Sequence, residues 1–417
     1  MKPKFTRTLR LMPAAFAACA CISQAESITP NATVGVTLLT QAFRSPEIRQ
    51  SPAEYRSLTL LDGALQTRLM EGNAAAADEL AASFSGAGIA NLNAAWRGQM
   101  DRQLRAIRNR ITSMQGGMAC YEPDPKACPE PPPTYTLWAN AEIDYRNQRS
   151  ESSFPGYKLH SIGGTAGFSM LAAHELTIGA AFTGMSGRLS SKGYGSDASG
   201  DLDAYYASFF MRMDRGCWQH SLIGSAGWAD INFKRRLYTA GADYGTRGTT
   251  DGLSFGIMYE MAYTFKISDD TLKSAWWQPV LNISYIHSAV DAYTESGSVA
   301  ALNSGKQESN NVIFGFGARM QGIVGEQFLN TPAIMEARIL GRAMAGARRG
   351  KAHVSIPGSA HSVTIAGAEP SAFGVEIGVG LNIPLGINNG GIFTDFTAEF
   401  YRDMTAVNGT LGYRIDF

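Results

Sequence analysis

The sequence is poor in charge, in charge asymmetry and in long apolar runs, and each shortage excludes a class of protein. Charged residues make up 17% of its 417 residues, and Lys plus Arg balance Asp plus Glu at 36 each. This charged fraction is below the usual quarter of a globular domain, and without a basic excess the chain lacks the electrostatic footprint of a nucleic-acid-binding protein. Beyond segment 1–25, no stretch reaches the ~18 consecutive apolar residues of a membrane helix.

Segment 1–25 has the layout of a secretory signal peptide. Basic residues between Lys2 and Arg10 precede an apolar run over 11–22, and Ser23-Gln24-Ala25 follows. This order predicts export with cleavage after Ala25. An exported chain without a membrane helix is either secreted or inserted into a membrane as a β-barrel.

Cysteine is scarce, with five residues in the chain. Cys120 and Cys128 stand in a proline-rich stretch with no histidine or second cysteine pair nearby. In an exported protein this favours a small disulfide loop over a metal site, and leaves Cys217 unpaired. Proline and glycine exclude a helix over 116–133, which we predict to be a linker.

Between the signal and the linker, three segments have helical periodicity: 52–72, 74–85 and 91–115. The first carries leucines at helical spacing, at Leu58, Leu61, Leu65 and Leu69. We assign 26–90 to a short N-terminal remnant followed by helices, and 91–115 to a separate helix that Asn91 or Asn93 can cap.

From Thr134 onward the apolar period changes to two, which predicts β-strands. On one face of 372–385 lie Phe373, Val375 and Ile377, and on the other Gly374 and Glu376. Twelve such strands are predicted at 134–147, 159–172, 173–187, 201–214, 216–231, 249–266, 274–290, 309–322, 331–346, 372–385, 390–401 and 406–417.

The length of these strands favours a membrane barrel over a soluble sandwich. A barrel strand needs ~9–11 residues to cross the bilayer, whereas strands of soluble sheets average about five or six. Long connections are predicted at 148–158, 188–200, 232–248, 291–308 and 347–371, and most others are short. Outer-membrane barrels show this asymmetry between extracellular loops and periplasmic turns. The fold class is therefore all-β, a twelve-stranded antiparallel transmembrane barrel over 134–417.

The helical region resembles the segment just upstream of the barrel in bacterial autotransporters, which belong to type V secretion. The resemblance is carried by Leu61-Asp62-Gly63-Ala64-Leu65, by the stretch 76–86 and by Asn91 through Ile111. It covers roughly 53–417 and includes the terminal Phe417. The sequence departs from the family pattern in its passenger, since only about 26–51 remains between the predicted signal and the helices.

The resemblance implies an outer-membrane location in a Gram-negative-type bacterium and a barrel with a helix in its lumen. It also implies the partners of such a barrel: the lipid bilayer, periplasmic chaperones and the barrel-assembly machinery, with a single chain forming the barrel. The assembly machinery recognises an alternating terminal strand, and the resemblance assigns that role to Tyr413, Ile415 and Phe417.

Helix 91–115 is basic and amphipathic, and about 22 residues at 1.5 Å each span roughly 33 Å, enough to cross a membrane-thick pore. We expect its arginines, Arg97, Arg102, Arg105 and Arg108, to meet carboxylates on the inward phase of the strands. Those carboxylates are Glu142, Asp144, Glu260, Glu336, Glu376, Asp395 and Glu399. The alternative is a solvated surface helix of a periplasmic subdomain.

Catalytic motifs are missing, and we expect no enzymatic activity, cofactor or metal. His287-Ser288 cannot form a catalytic dyad, because adjacent strand residues point to opposite faces. Some autotransporters cut their own passenger at an asparagine, for which Asn91, Asn93 and Asn109 are candidates, but little passenger is present to release.

The predicted function is an autotransporter-type barrel that translocates or anchors a short N-terminal segment at the cell surface. Two alternatives stay open at this point. One is a plugged barrel that works through its outer loops as an adhesin or surface structure, and the other is a porin for small solutes.

Overall fold

Twelve long antiparallel strands form a closed barrel, which confirms the predicted fold class. The computed structural model describes residues 30–45, 50–114, 134–151, 154–173, 175–193, 197–239, 242–267, 275–324, 333–359, 361–385 and 389–417. The predicted signal peptide and the linker with Cys120 and Cys128 lie outside the described residues.

The barrel strands pair in chain order. They are β1 (Tyr135–Gln148), β2 (Gly156–Ala173), β3 (Leu176–Lys192), β4 (Asp197–Arg215), β5 (Trp218–Thr239), β6 (Ala242–Tyr263), β7 (Ala275–Val290), β8 (Gln307–Val324), β9 (Ala333–Gly346), β10 (Phe373–Pro384), β11 (Gly390–Tyr401) and β12 (Met404–Asp416). The ring closes between β1 and β12, where Thr136 lies opposite Asp416 and Gln148 lies opposite Met404.

Along each strand, side chains point alternately to the outer surface of the barrel and to its lumen. On β6, Leu253 and Phe255 are 62% and 47% exposed, whereas Ser254 between them is 1% exposed. Large apolar side chains cover the outside in the same way on the other strands. Such a surface is expected of a barrel whose outer face meets lipid.

The two ends of the barrel differ in their connections. We call the end at Tyr135 and Asp416 the turn rim, because its connections are short, and the opposite end the mouth. At the turn rim, Gly216-Cys217 joins β4 to β5. Gly216 has φ of 60°, a left-handed conformation that glycine adopts without strain. Cys217 is a free cysteine.

Two predicted mouth loops are wrong. β3 extends to Lys192 and β4 starts at Asp197, so most of 188–200 is strand. β5 and β6 continue to Thr239 and Ala242, so most of 232–248 is a protruding hairpin instead of a loop. The reason is that the inward alternation persists past the predicted strand end, with Phe233 and Leu237 1% and 0% exposed. These apolar side chains are buried above the lumen and extend the ladder.

Two further mouth loops contain short strands. Tyr293–Thr294, Asn303–Ser304, Lys351–Ser355 and Val363–Ala366 form a separate four-stranded sheet, which we call the mouth sheet. Its side chains Val354 and Ile365 are fully buried. The sheet therefore has a covered apolar face.

The N-terminal region forms α1 (Pro30–Arg44), α2 (Pro52–Met70), α3 (Ala74–Phe84), a 3₁₀ turn (Ala87–Ala90) and α4 (Asn91–Met114). The ranges of α2 to α4 match the predicted helices closely. α1 was not predicted and occupies most of the predicted N-terminal remnant. Its signal was present in the sequence, because Val36, Leu39 and Phe43 recur at helical spacing. No helix among the described residues is long and apolar enough to cross a membrane.

α1 to α3 lie over the mouth and, together with the mouth sheet, form a unit that we call the cap. Leu38 and Leu58 are fully buried in its core. Asn31 Nδ2 donates to the Ala366 carbonyl at 3.2 Å, which joins α1 to the mouth sheet. The 3₁₀ turn Ala87–Ala90 connects the last helix of the cap to α4.

Candidate functional site: a plugged barrel lumen

α4 runs through the lumen from the mouth to the turn rim. Near the mouth, Asn91 Nδ2 donates to the Pro155 carbonyl at 3.1 Å. Near the turn rim, Asn382 Nδ2 donates to the Ser113 carbonyl at 2.8 Å. Leu104, between these ends, is 0% exposed. The prediction of a lumen helix is confirmed, and the alternative of a surface helix outside the barrel is wrong.

One side of α4 packs closely on β6 because the wall there is built of glycine. A Cβ at Gly256 would lie 2.8 Å from Leu104 Cδ1 and 3.0 Å from Met100 Cγ. A Cβ at Gly252 would lie 3.1 Å from Trp96 Nε1. All three distances are tighter than ordinary van der Waals contact, so the missing side chains let the helix approach the strand. We call this contact the glycine seam.

The arginines of α4 meet carboxylates of the barrel wall. Three helix arginines form close ion pairs with wall carboxylates: Arg102 with Glu142, Arg105 with Glu399 and Arg108 with Glu376. All six side chains are 4% exposed or less. Buried pairs add little net stability over apolar packing, but removing one partner costs about 3–5 kcal/mol, because the other charge stays buried.

Arginines on the wall complete this network, and the sequence analysis missed them. Arg342 Nη2 donates to Asp101 Oδ1 of α4 at 2.7 Å. Arg338 Nη1 donates to Asp395 Oδ2 at 2.7 Å. The strand alternation contained the signal, since Arg338 and Arg342 share the inward phase of β9 with Glu336.

Some of the predicted lumen carboxylates bind wall arginines, either in place of the helix or in addition to it. Glu336 Oε1 accepts from Arg338 Nη1 at 3.0 Å. Glu260 pairs with Arg319 on the wall and also with α4, since its Oε2 lies 3.8 Å from Arg108 Nε. Asp144 accepts a 3.4 Å hydrogen bond from a side-chain amide of α4. All the predicted carboxylates therefore lie in the lumen, but they form one connected network and not a set of simple helix-to-wall pairs.

Arg97 differs from the other helix arginines. It donates to the carbonyls of Ala347 and Arg348, the latter at 2.7 Å, and pairs with no carboxylate of the described residues. The reason is its height in the barrel. Arg97 reaches the level at which the chain leaves β9, so backbone carbonyls face it there.

The asparagines of α4 bind the wall through their side-chain amides. Asn93 Nδ2 donates to the Ser288 carbonyl at 3.1 Å, and Asn109 Nδ2 donates to Asp395 Oδ1 at 3.0 Å. Both amides thus fix the helix in its register. Among the described residues, no group of three or more His, Cys, Asp or Glu side chains is arranged to hold a metal ion.

Arg235 and Glu295, which the sequence analysis did not single out, connect the cap to the barrel. Arg235 Nη2 donates to Glu295 Oε2 at 2.6 Å, and the two side chains are 1% and 0% exposed. Arg235 also donates to the carbonyl of Ser83 in α3 at 3.2 Å and to that of Ala300 at 2.6 Å. This arginine holds the end of α3 against the protruding β5–β6 hairpin.

The terminal strand β12 places its predicted assembly residues on the outer surface. Tyr413 and Phe417 are 42% and 61% exposed, and Ile415 is half-buried. The Phe417 amide donates to the Tyr135 carbonyl at 2.8 Å. β12 therefore has paired neighbours on both edges once the barrel is closed.

A match to a protein-family model identifies the family to which this barrel belongs. The autotransporter β-domain model matches residues 137–397. The chain belongs to the autotransporter β-domain family. Such a domain is an outer-membrane translocator barrel, and the porin and plugged-adhesin alternatives are not favoured. No curated protein matches the sequence.

One solved autotransporter structure is similar in fold, and two others match most of their length at lower TM-scores. The translocator domain of NalP from Neisseria meningitidis is 13% identical with a TM-score of 0.58, covering 77% of this chain and 95% of that one. The β-domain of the Bordetella autotransporter BrkA is 12% identical with a TM-score of 0.49, covering 68% and 100%. The transport unit of AIDA-I from Escherichia coli is 13% identical with a TM-score of 0.47, covering 74% and 97%.

Proposed function

We propose that this autotransporter barrel exports its own N-terminal helices and retains them as a cap on the cell surface. The observation that carries the proposal is the path of the chain. α1 to α3 lie at the mouth, α4 descends through the lumen, and β1 starts at the turn rim. With the long connections outside, as in outer-membrane barrels, the mouth is extracellular and the cap has crossed the membrane.

The contacts of the cap support retention over release. Leu58 of α2 and Ile365 of the mouth sheet are buried in one continuous apolar core. Tyr244 at the tip of the hairpin donates its hydroxyl to the Ser57 carbonyl at 3.0 Å. A released passenger would expose this core to water, at roughly 25 cal/mol per Å² of apolar surface.

Surface labelling tests the topology. Met70, at the end of α2, is 79% exposed, so a Met70→Cys variant in a Cys217→Ser background presents a thiol on the cap. We expect a membrane-impermeant maleimide to label this thiol on intact cells, with the labelled residue mapped by peptide mass spectrometry.

The matched control is Arg215→Cys in the same background, at the exposed turn rim. It should be labelled only after the outer membrane is permeabilised. Labelling of Arg215→Cys but not Met70→Cys on intact cells would reverse the orientation and contradict the proposal.

We further propose that the chain reaches the outer membrane through a signal peptide cleaved after Ala25 and with the help of periplasmic chaperones. The order of basic, apolar and small residues in segment 1–25 supports this route. The mature protein should start at Glu26, as determined by mass spectrometry of its N-terminal peptide. Retention of the segment in outer-membrane material would contradict cleavage.

Insertion is proposed to depend on the barrel-assembly machinery, which would recognise Tyr413, Ile415 and Phe417. An unpaired terminal strand is a template for edge pairing, and these side chains share its outward phase. Deleting Phe417 should reduce the outer-membrane amount at matched expression more than Arg414→Ala, which changes a side chain that pairs with Asp416 at 3.3 Å. Equal losses would contradict the assignment. One chain pairs each of the twelve barrel strands on both sides, which supports a monomeric barrel.

The protein is proposed to have no catalytic role. The His287 Nδ1 atom lies 2.8 Å from Asn310 Oδ1 on the outer surface, whereas Ser288 is buried in the lumen, 2.8 Å from the Ser309 hydroxyl. The adjacent histidine and serine therefore lie on opposite faces of β7. A hydrolase screen with ester substrates should detect no activity above that of a His287→Ala variant.

A further inference from the structure

The outer wall of the barrel has a depression on strands β1 to β3. Its volume is about 500 Å³, with Ile143, Ile162 and Phe396 on one side and Tyr145, His160 and Arg188 along the other. Ile143 and Ile162 are directly opposite each other and are 63% and 65% exposed. The depression therefore combines an apolar part with a polar edge, and both face away from the lumen.

The polar edge lies at the outer boundary of the membrane. Tyr135 at the turn rim and Tyr145 near the mouth lie on the same outward phase of β1, and the stretch between them matches the ~9–11 residues that cross a bilayer. Aromatic residues are enriched at both interfaces of such barrels. The apolar part of the depression thus lies at acyl-chain depth and its polar edge at headgroup depth.

Basic side chains on β2 and β3 form this polar edge, which ends at the carboxylate of Asp201 on β4. His160 lies opposite Tyr145 on β1, with ring centroids 4.7 Å apart, and opposite Arg188 on β3. Lys158, one outward position closer to the mouth, is half-exposed. Every ionisable outward-facing side chain of β1 and β2 in this upper region is therefore basic or a tyrosine.

The neighbouring sector has the opposite character. Asp203, Asp230 and Asp251 lie side by side on β4, β5 and β6. They continue the register row of Ile143 and Ile162, which changes height around the barrel because the strands are tilted. Asp201 is the one member of β4 that lines the depression itself, and its carboxylate lies 4.0 Å from Arg188. Both side chains are largely exposed, so this pair is weak and leaves the guanidinium open to a phosphate. An anionic lipid would be repelled by the aspartate sector and attracted to the β1–β3 sector.

We propose that the depression binds one phosphate-bearing lipid of the outer leaflet. Its acyl chain would lie along Ile143, Ile162 and Phe396, and its phosphate would accept hydrogen bonds from His160 and Arg188. Charge-assisted hydrogen bonds to phosphate are stronger than neutral ones, and the partly dehydrated interface reduces their competition with water. The lipid would occupy a fixed place beside the seam where β1 meets β12.

Native mass spectrometry of the full chain in detergent tests this site. Lipid A, a bisphosphorylated glycolipid, and phosphatidylcholine, which is zwitterionic, would be added at equal concentrations. We expect one lipid A to stay bound to the wild-type barrel and phosphatidylcholine to dissociate. The double variant His160→Gln/Arg188→Gln should lower the lipid A-bound fraction at least fivefold.

The control is Lys234→Gln/Arg247→Gln, which removes two outward-facing basic groups that lie opposite each other on β5 and β6. It should leave the bound fraction unchanged. Ile162→Trp, which fills the apolar part, should also reduce binding, and migration without boiling shows that each variant is folded. Equal lipid A retention in the His160/Arg188 and control variants, or equal retention of both lipids, would overturn the proposal.

Discussion

The N-terminal chain is held in two different ways, by buried ion pairs beside the glycine seam inside the lumen and by apolar packing above the mouth. In the lumen, α4 meets the wall through ion pairs such as Arg105 with Glu399. In the cap, α1 to α3 meet the mouth sheet through side chains such as Leu38 and Ile365, both fully buried. This difference follows from the surroundings of each surface when the N-terminal helices are absent: the lumen is then filled with water, and the mouth sheet is uncovered.

A charged wall stays hydrated when the lumen is empty, because water can solvate its carboxylates and guanidinium groups. An apolar wall would dewet and collapse onto any apolar segment that entered it. The cap needs an apolar contact surface instead of a hydrated one, since its helices are held in place without closed walls around them. Apolar burial supplies that stability, whereas an exposed ion pair such as Lys306 with Glu308 contributes little.

Charge reversal in the lumen should have the largest effect. Arg102→Glu/Arg105→Glu/Arg108→Glu places carboxylates beside Glu142, Glu399 and Glu376, and close like charges cost about 4 kcal/mol per pair at 4 Å and an effective dielectric of 20. We expect α4 to leave its position and the full chain to conduct in planar bilayers, where the wild type stays closed.

The open pore should prefer cations. Its wall carries more carboxylates, from Glu142, Asp144, Glu260, Glu336, Glu376, Asp395 and Glu399, than arginines, from Arg146, Arg212, Arg319, Arg338 and Arg342. The reversal potential in a salt gradient measures this preference. Arg56→Glu/Arg188→Glu/Arg247→Glu, on exposed positions, is the charge-matched control and should stay closed. Equal conductance of both triple variants would mean that the ion pairs do not hold the plug.

A leucine pair in α2 tests the cap alone. Leu58 is 0% exposed and Leu60 is 57% exposed, two residues apart on the same helix. Leu58→Ala should destabilise the cap by about 2–5 kcal/mol, because it removes buried methyl groups and leaves a cavity. Tryptic cleavage after Arg56 and Arg68 on intact cells should then accelerate, whereas Leu60→Ala should behave like the wild type.

The same Leu58→Ala variant should stay closed in planar bilayers if the lumen and the cap are held independently. Opening of the pore would show that the cap, and not the ion pairs, keeps α4 in the barrel. That result would remove the distinction between the two regions.

Adding a side chain at the glycine seam should lower the stability of the barrel by a smaller amount. Gly256→Val adds methyl groups where a Cβ already lies 2.8 Å from Leu104, and overpacking of this kind costs about 1–3 kcal/mol. The temperature at which the barrel loses its fast electrophoretic migration should fall. Gly224→Val is the control, since nothing lies within 4 Å of a Cβ there. An equal fall in both variants would assign the effect to strand propensity and not to the seam.

The smallest change in stability is expected when Asp62 of α2 is replaced. Partial burial raises the pKa of its carboxyl, although the Gln66 amide donates to it at 2.7 Å and opposes the shift. Since the folded pKa is above the unfolded value, the carboxyl destabilises the cap as pH rises through these two values. Asp62→Asn should therefore slow hydrogen exchange in α2 slightly at pH 7, and the difference should vanish near pH 3. A destabilised Asp62→Asn cap at pH 7 would contradict this sign.

The barrel and its plug were predictable because their signals are local. A period of two extends through all twelve strands, and the basic amphipathic pattern of α4 matched inward carboxylates such as Glu376. The partner of each arginine was not predictable. Arg338 and Arg342 of β9 both pair with Glu376 of β10, and the register of β9 against β10 determines which arginine contacts which carboxylate.

Alternation and helical periodicity by themselves determined the fold class, the extent of α4 and the two faces of the wall, because each depends on which side of one element a residue occupies. The tertiary structure decided that α4 lies in the lumen and not on a periplasmic surface. Only the tertiary structure decided that α1 to α3 pack on the mouth sheet and that Arg235 bonds to Glu295 and Ser83. Those contacts join segments far apart in sequence, and their energy depends on burial that exists only after the barrel has closed and brought the loops together.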